Sequence, residues 1–227
     1  HSAAIVCLLG GLLLLTLGQL LARWTLGILH TKDELMDGAL LYLRIYFFAM
    51  PAAALYNFGS AVFSAIGNTK KPLLYLLCSG ILNVILNLFF VIVCKLSVAG
   101  VAIASVISQY VSAGLVLWSL LRSREDYGLR LRELRLSPAK TRAILTISLP
   151  SGLQYAIFQI ANLFVQAGVN SFSAAVVSGN AAASNADALI FDIMAAFYTA
   201  CGSFIGQNYG ARNKKRILDS YLISLLY

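Results

Sequence analysis

Six stretches of this sequence carry no charged residue over about the length a helix needs to cross a lipid bilayer, and nothing else constrains the fold as strongly. They cover residues 3–22, 45–66, 72–94, 96–121, 143–186 and 193–211, between 19 and 44 residues each. A helix spanning a hydrocarbon core of roughly 30 Å needs about 20 residues. A soluble domain buries one or two such helices, but the polar sequence left in a 227-residue chain cannot cover six. Hydrophobic residues make up 59% and charged ones 11%, whereas soluble domains carry about 25% charged residues. The fold class is therefore all-α integral membrane. Backbone amides must be satisfied inside lipid, and the tracts lack the alternation over about ten residues that marks a membrane β-barrel. A cytosolic enzyme, a disulfide-stapled secreted domain and a nucleic-acid module are all disfavoured.

The tracts predict helices over 3–29, 38–66, 72–94, 98–121, 142–168 and 182–206, with a further helix starting near 217. The 44-residue tract is too long for one crossing, and its small polar stretch Gly168–Asp187 is the expected turn. Pro51 and Pro150 lie inside predicted helices; each removes an amide donor and crowds the preceding turn, so a kink is expected at both. Cys7, Cys78, Cys94 and Cys201 stand in or beside different apolar tracts without CxxC spacing, as small packing residues do. No basic leader precedes the first tract, so it does not read as a signal peptide. The start at His1 and the apolar end Leu222–Tyr227 predict an interior piece of a longer protein.

The net charge of +8 is unevenly placed. Thirteen of the 17 basic residues fall on three alternate connections: Lys70 and Lys71; seven between Arg122 and Arg142; and Arg212, Lys214, Lys215 and Arg216. The intervening connections hold only Lys32 and Lys95. By the positive-inside rule, loops 67–72, 122–142 and 207–216 are cytoplasmic in a multi-pass protein of the cytoplasmic (inner) membrane. The hydrophilic stretch 122–142 is expected to separate two bundles, 1–121 and 143–227. Leu129, Leu131, Leu134 and Leu136 among its arginines predict a short helix lying on the membrane, with arginines reaching lipid headgroups. A basic membrane loop accounts for this charge without a nucleic-acid partner.

Polar residues inside the spans carry the functional signal, because each must be paired or face water. Asp192 falls about ten residues into its predicted helix. Its carboxylate either couples ion binding to conformation or reaches the outer interface. The helix over 142–168 brings Gln154, Gln159, Asn162 and Gln166, with Asn170 just beyond it. Gln159, Asn162 and Gln166 form a stripe along one face, which either bonds a neighbouring helix or lines a hydrated cavity. Asn83 and Asn87 are an i,i+4 pair; Ser105, Ser108, Gln109 and Ser112 mark the next span. There is no GxxxxGK[ST] loop for ATP and no HExxH, and the two histidines, His1 and His30, pair with no nucleophile. No catalytic, cofactor-binding or metal-binding residue is assigned.

Two stretches resemble the multidrug and toxic compound extrusion (MATE) family. Tyr42–Pro72, YLRIYFFAMPAAALYNFGSAVFSAIGNTKKP, is similar to that family's fourth helix and following turn, with Gly67, Lys70 and Pro72 at motif positions. Gly206–Arg216, GQNYGARNKKR, is similar to the turn after the eighth helix, with Gly206, Gln207, Gly210 and Ala211 at motif positions. SLPSGLQ (Ser148–Gln154) and VNSF (Val169–Phe172) look like the seventh helix. The resemblance implies helices three to eight and the start of nine in a twelve-helix, two-lobe bundle, with 122–142 joining the lobes. It also implies exchange of substrate for protons or sodium ions. This sequence departs from the family where Asn68 and Asn87 replace frequent acids, and where Phe158, followed by Gln159, stands eight residues after Pro150.

The expected function is thus ion-coupled (H+ or Na+) antiport of amphipathic or cationic organic compounds by a monomer in contact with membrane lipids. A lipid-linked polysaccharide flippase and a non-transporting membrane assembly protein are the alternatives. Gln154, Gln159, Asn162, Asn170 and Asp192 are expected to face the interior, with Asp192 a coupling or structural group rather than a substrate anchor.

Overall fold

A computed structural model of the chain describes residues 1–28, 33–169 and 172–226. Among the described residues eight α-helices follow in order: α1 (Ser2–Ile28), α2 (Asp33–Phe47), α3 (Met50–Ala65), α4 (Lys70–Leu88), α5 (Ser97–Arg122), α6 (Pro138–Val169), α7 (Ala174–Gly210) and α8 (Lys214–Leu226). Helix α4 runs on into a π-helical turn, Phe89–Val93. Among the described residues, α1, α4 with its π turn, α5, α6 and α7 are long and apolar enough to cross a membrane; α2 and α3, bent by 43°, make a sixth span if taken together. The chain is an all-α membrane-spanning bundle. It divides into two compact units, His1–Thr141 and Arg142–Tyr227.

In the first unit, α1 packs on α3 and α2, and α5 packs on α2, α3 and α4. The seam of α1 is made of small residues: Ala4, Gly11 and Gly18 recur at seven-residue intervals, and all are buried, as is Ala22. Small side chains let helix backbones approach closely where lipid gives no hydrophobic drive between helices. A methyl group on Gly11 would stand 2.6 Å from Cα of Pro51. One on Gly18 would overlap the Phe47 ring. On α3, Gly59 leaves room for the Val116 side chain of α5. Phe63, Val116 and Leu120 form the buried core with Ala4 and Leu129. Outward residues such as Leu20, 78% exposed, and Trp24 present the apolar surface a bilayer requires.

Four expectations are corrected. The predicted helix over 38–66 is two helices, starting at Asp33 and broken after Phe47. The turn predicted over Gly168–Asp187 is mostly helix: α7 starts at Ala174, so Asp187 is inside it. Residues such as Ala181–Ala183 favour helix, and the small polar composition marked a helix face rather than a loop. The helix after it starts at Lys214 rather than near 217.

The fourth correction concerns 122–142. Instead of a helix on the membrane, it forms a strap with one 3-10 turn, Leu131–Glu133. Leu129 is buried in the core, and the amide of Leu129 donates to the Leu120 carbonyl at 3.0 Å. Tyr127 meets Phe63 edge to face, with ring centroids 6.2 Å apart. Ser2 Oγ donates to the Arg135 carbonyl at 2.9 Å and accepts from the Ser137 amide at 3.1 Å. The leucine spacing fitted an amphipathic helix, but the core of the first unit offered Leu129 a dry site that the interface does not.

Candidate binding pocket and polar helix faces

Two polar helix faces meet beside the α2–α3 break. On α4 the face is Leu76, Ser79, Gly80 and Asn83; on α5 it is Ser105, Ser108 and Gln109. These spacings of three and four residues bring each set onto one side of its helix. Tyr46, Ala49, Met50 and Ala53, from either side of the break, form the opposite wall. Together they line an open-sided pocket of about 300 Å³ whose lining carries hydroxyl and amide groups and no charged side chain. Ser108 Oγ is buried and has no protein partner. Asn87 donates from Nδ2 to Asn83 Oδ1 at 3.0 Å, while its own buried Oδ1 is unpaired. The arrangement can orient a ligand by neutral hydrogen bonds and stacking on Tyr46, which itself stacks on Tyr42 at 5.8 Å.

Of the predicted residues, Asn83 reaches this pocket and Asn87 holds Asn83 from one turn away. The pocket also uses Tyr46 and Ser79, which sequence reasoning missed. A signal existed: Ser79, Asn83 and Asn87 continue one i,i+4 row along α4.

In the second unit the main packing is between α7 and α8. Phe197, Cys201 and Phe204 of α7 face Ser220, Ile223 and Ser224 of α8 across an apolar pocket of about 380 Å³. Asp192 lies roughly on the other side of α7 from that contact and is exposed. It is eighteen residues from Ala174 and eighteen from Gly210, the middle of a 37-residue helix. Ser178, Asn185 and Thr199 share its face at seven-residue spacing, with Ala188, Ala195 and Ala196 between them and Ser203 one turn beyond. On α6, Gln159, Asn162 and Gln166 keep one exposed face, joined by Ser148 and Tyr155; Gln154 lies on another face. Asn170 lies outside the described residues. Among the described residues, no three His, Cys, Asp or Glu side chains converge to hold a metal ion.

The two motif turns share one geometry. After α3, the Asn68 amide donates to the Phe63 carbonyl at 2.9 Å and the Gly67 amide to Ser64 at 3.0 Å. After α7, the Asn213 amide donates to Asn208 at 2.9 Å and the Arg212 amide to Tyr209 at 3.0 Å. Both are the paired bonds of a Schellman closure, whose penultimate residue is left-handed. That residue is Gly67, φ 79°, in one turn and Arg212, φ 55°, in the other. Pro72 sits in the first turn of α4, where its missing amide costs little, and its carbonyl accepts from Tyr56 Oη at 3.1 Å. Gly206, Gln207 and Gly210 are in the last turns of α7; the Gln207 carbonyl accepts from the Ala211 amide at 3.1 Å. Lys70 opens α4.

Comparison with known proteins agrees with this architecture. The chain is 30% identical over 202 residues to the "Probable multidrug resistance protein YpnP" of Bacillus subtilis (strain 168), covering 88% of this chain and 44% of that protein. Its fold matches a MOP superfamily transporter from Pyrococcus furiosus with a TM-score of 0.88 at 22% identity, over 97% of this chain and 49% of the other. An outward-facing multidrug resistance MATE family transporter matches with a TM-score of 0.86 at 22% identity, over 98% and 50%. The chain thus spans about half the length of the relatives it matches. The MatE family model matches residues 1–89 and 150–227, which takes in both motif turns, α4 and the whole of α7. This chain therefore belongs to the MatE family, whose members are membrane transport proteins and not enzymes.

Proposed function

We propose that the chain is part of an ion-coupled antiporter that exports amphipathic or cationic organic compounds across the cytoplasmic membrane. The observation that carries this reading is the uncharged polar pocket among α2, α3, α4 and α5, within helices otherwise apolar enough for lipid. An amphipathic guest needs apolar walls with a few placed polar groups, which is how small-molecule sites are commonly built. In this reading residues 1–121 belong to one lobe, 122–142 join the lobes, and 143–227 begin the second. Loops 67–72, 122–142 and 207–216 face the cytoplasm, lipid surrounds a functional monomer, and no nucleic acid is engaged. The coupling ion is a proton or a sodium ion.

The pocket has amides at Asn83, held by Asn87, and at Gln109, and no carboxylate. Asp192 supplies the ionisable group: a carboxylate at mid-helix, on a face of small and polar residues, changes its preference for water when a cation binds or a proton is taken up. Gln154, Gln159, Asn162 and Asn170 line the hydrated interior in this reading. The test is Asp192→Asn in the complete protein, reconstituted in vesicles with an imposed ion gradient. Efflux of an organic cation should lose its pH dependence while insertion is unchanged; wild-type kinetics at every pH would sink the coupling role.

A further inference from the structure

We propose that Gln19 of α1 is a positioning residue for the pocket, acting through the α2–α3 break. In an unbroken helix the Arg44 carbonyl accepts from the amide four residues on, that of Phe48. Here the Phe48 amide donates to Ile45 at 3.1 Å and the Ala49 amide to Tyr46 at 2.9 Å. Both bonds span three residues and tighten the chain into a turn, so the Arg44 carbonyl loses its helical donor. Gln19 Nε2 donates to it at 2.7 Å. A carbonyl without a donor is costly at membrane depth, so the bend and the Gln19 contact stabilise one another.

The same stretch of α1 receives the break elsewhere: Gly11 meets Pro51 and Gly18 meets Phe47. Gln19, next to Gly18, supplies the polar part of that seat. Tyr46, Ala49, Met50 and Ala53, from either side of the break, form the pocket wall. Without the Gln19 donor, the Arg44 carbonyl regains a partner most directly by taking back the Phe48 amide. That step straightens the joint and moves the wall. Apparent affinity then falls by the fraction of protein that keeps the bent form.

The inference rests on the pocket's being a substrate site only for its transport readout, and the experiment separates the two. In the complete protein with its native cysteines replaced, Ser105→Cys reports the pocket by its rate of reaction with a small neutral thiol reagent. Gln19→Leu, which removes the donor, should change that rate by about three- to tenfold, the range one net hydrogen bond supplies. Gln19→Glu, which sets an acceptor against the carbonyl, should do the same, and serves if Gln19→Leu fails to insert. Gln19→His, which keeps an N–H donor, should stay near the parent rate. In efflux of ethidium by the otherwise unaltered protein, Gln19→Leu should raise KM with a smaller change in maximal rate. Parent-like labelling in both Gln19→Leu and Gln19→Glu overturns the inference. If ethidium fails to protect the Ser105→Cys thiol while labelling still depends on Gln19, the substrate-site reading fails and the positioning role stands.

Discussion

Pro51 and Pro150 both fall within long apolar helical stretches, yet the chain breaks beside the first and continues as helix through the second. Each removes one amide and crowds the carbonyl four residues back. Around Pro51 the surroundings favour a break. Gly11 admits the Pro51 backbone, Gly18 admits the Phe47 ring, and Gln19 takes up the freed Arg44 carbonyl. Around Pro150 the residues are exposed, and the nearby hydroxyls of Thr146 and Ser151 bond back to carbonyls of their own helix, Arg142 at 2.8 Å and Ile147 at 2.9 Å. A proline therefore weakens a helix locally, and a neighbouring helix decides whether it parts.

The largest effect is expected from filling the seat. Gly11→Val would drive a branched side chain into the backbone at Pro51, which cannot rotate away, and should destabilise the protein by about 3 kcal/mol. Gly10, whose missing side chain would meet nothing within 4 Å, is the control: Gly10→Ala should be neutral or stabilising by up to about 1 kcal/mol. Thermal unfolding in detergent reads both, and equal effects would remove the role given to α1.

Exchanging the prolines sharpens the comparison through a difference in sign. Pro51→Ala loses buried ring methylenes, each worth about 0.8 kcal/mol, and should destabilise by about 1 kcal/mol. Pro150→Ala restores an amide inside a continuous helix and should stabilise by about 1 kcal/mol. If Pro150→Ala proves the more destabilising of the two, the comparison is broken.

The smallest effect separates local from tertiary control at the motif turns, whose left-handed residue is Gly67 in one and Arg212 in the other. Gly67→Ala should cost about 1 kcal/mol and Arg212→Gly should stabilise by a similar amount or less. A destabilised Arg212→Gly variant would mean that the arginine side chain holds its turn through contacts beyond backbone geometry.

Much of this was legible in the chain. The spans of α1, α4, α5 and α6 emerged within a few residues from the uncharged tracts, and the family resemblance put Gly67 and Pro72 at the turn between α3 and α4, where their backbone preferences fit. Asn83 was visible as half of an i,i+4 amide pair. Tyr46 was not, because an aromatic residue in an apolar helix looks the same whether it faces lipid or a pocket. Asp192 was placed about ten residues into its helix when it stands eighteen in, since alanine-rich polar sequence reads as a turn until its neighbours show that it continues.

By itself the sequence determined that the chain is helical and membrane-spanning, with its basic residues on alternate connections, because lipid leaves the backbone no other way to satisfy its amides. Tertiary structure alone decided where one of those helices breaks, that Leu129 folds into the core, and that Ser79, Asn83, Ser105 and Gln109 face Tyr46 across one pocket. Those outcomes depend on which helix faces meet, and hydropathy, which ranks every lipid-facing and protein-facing leucine alike, carries no record of that.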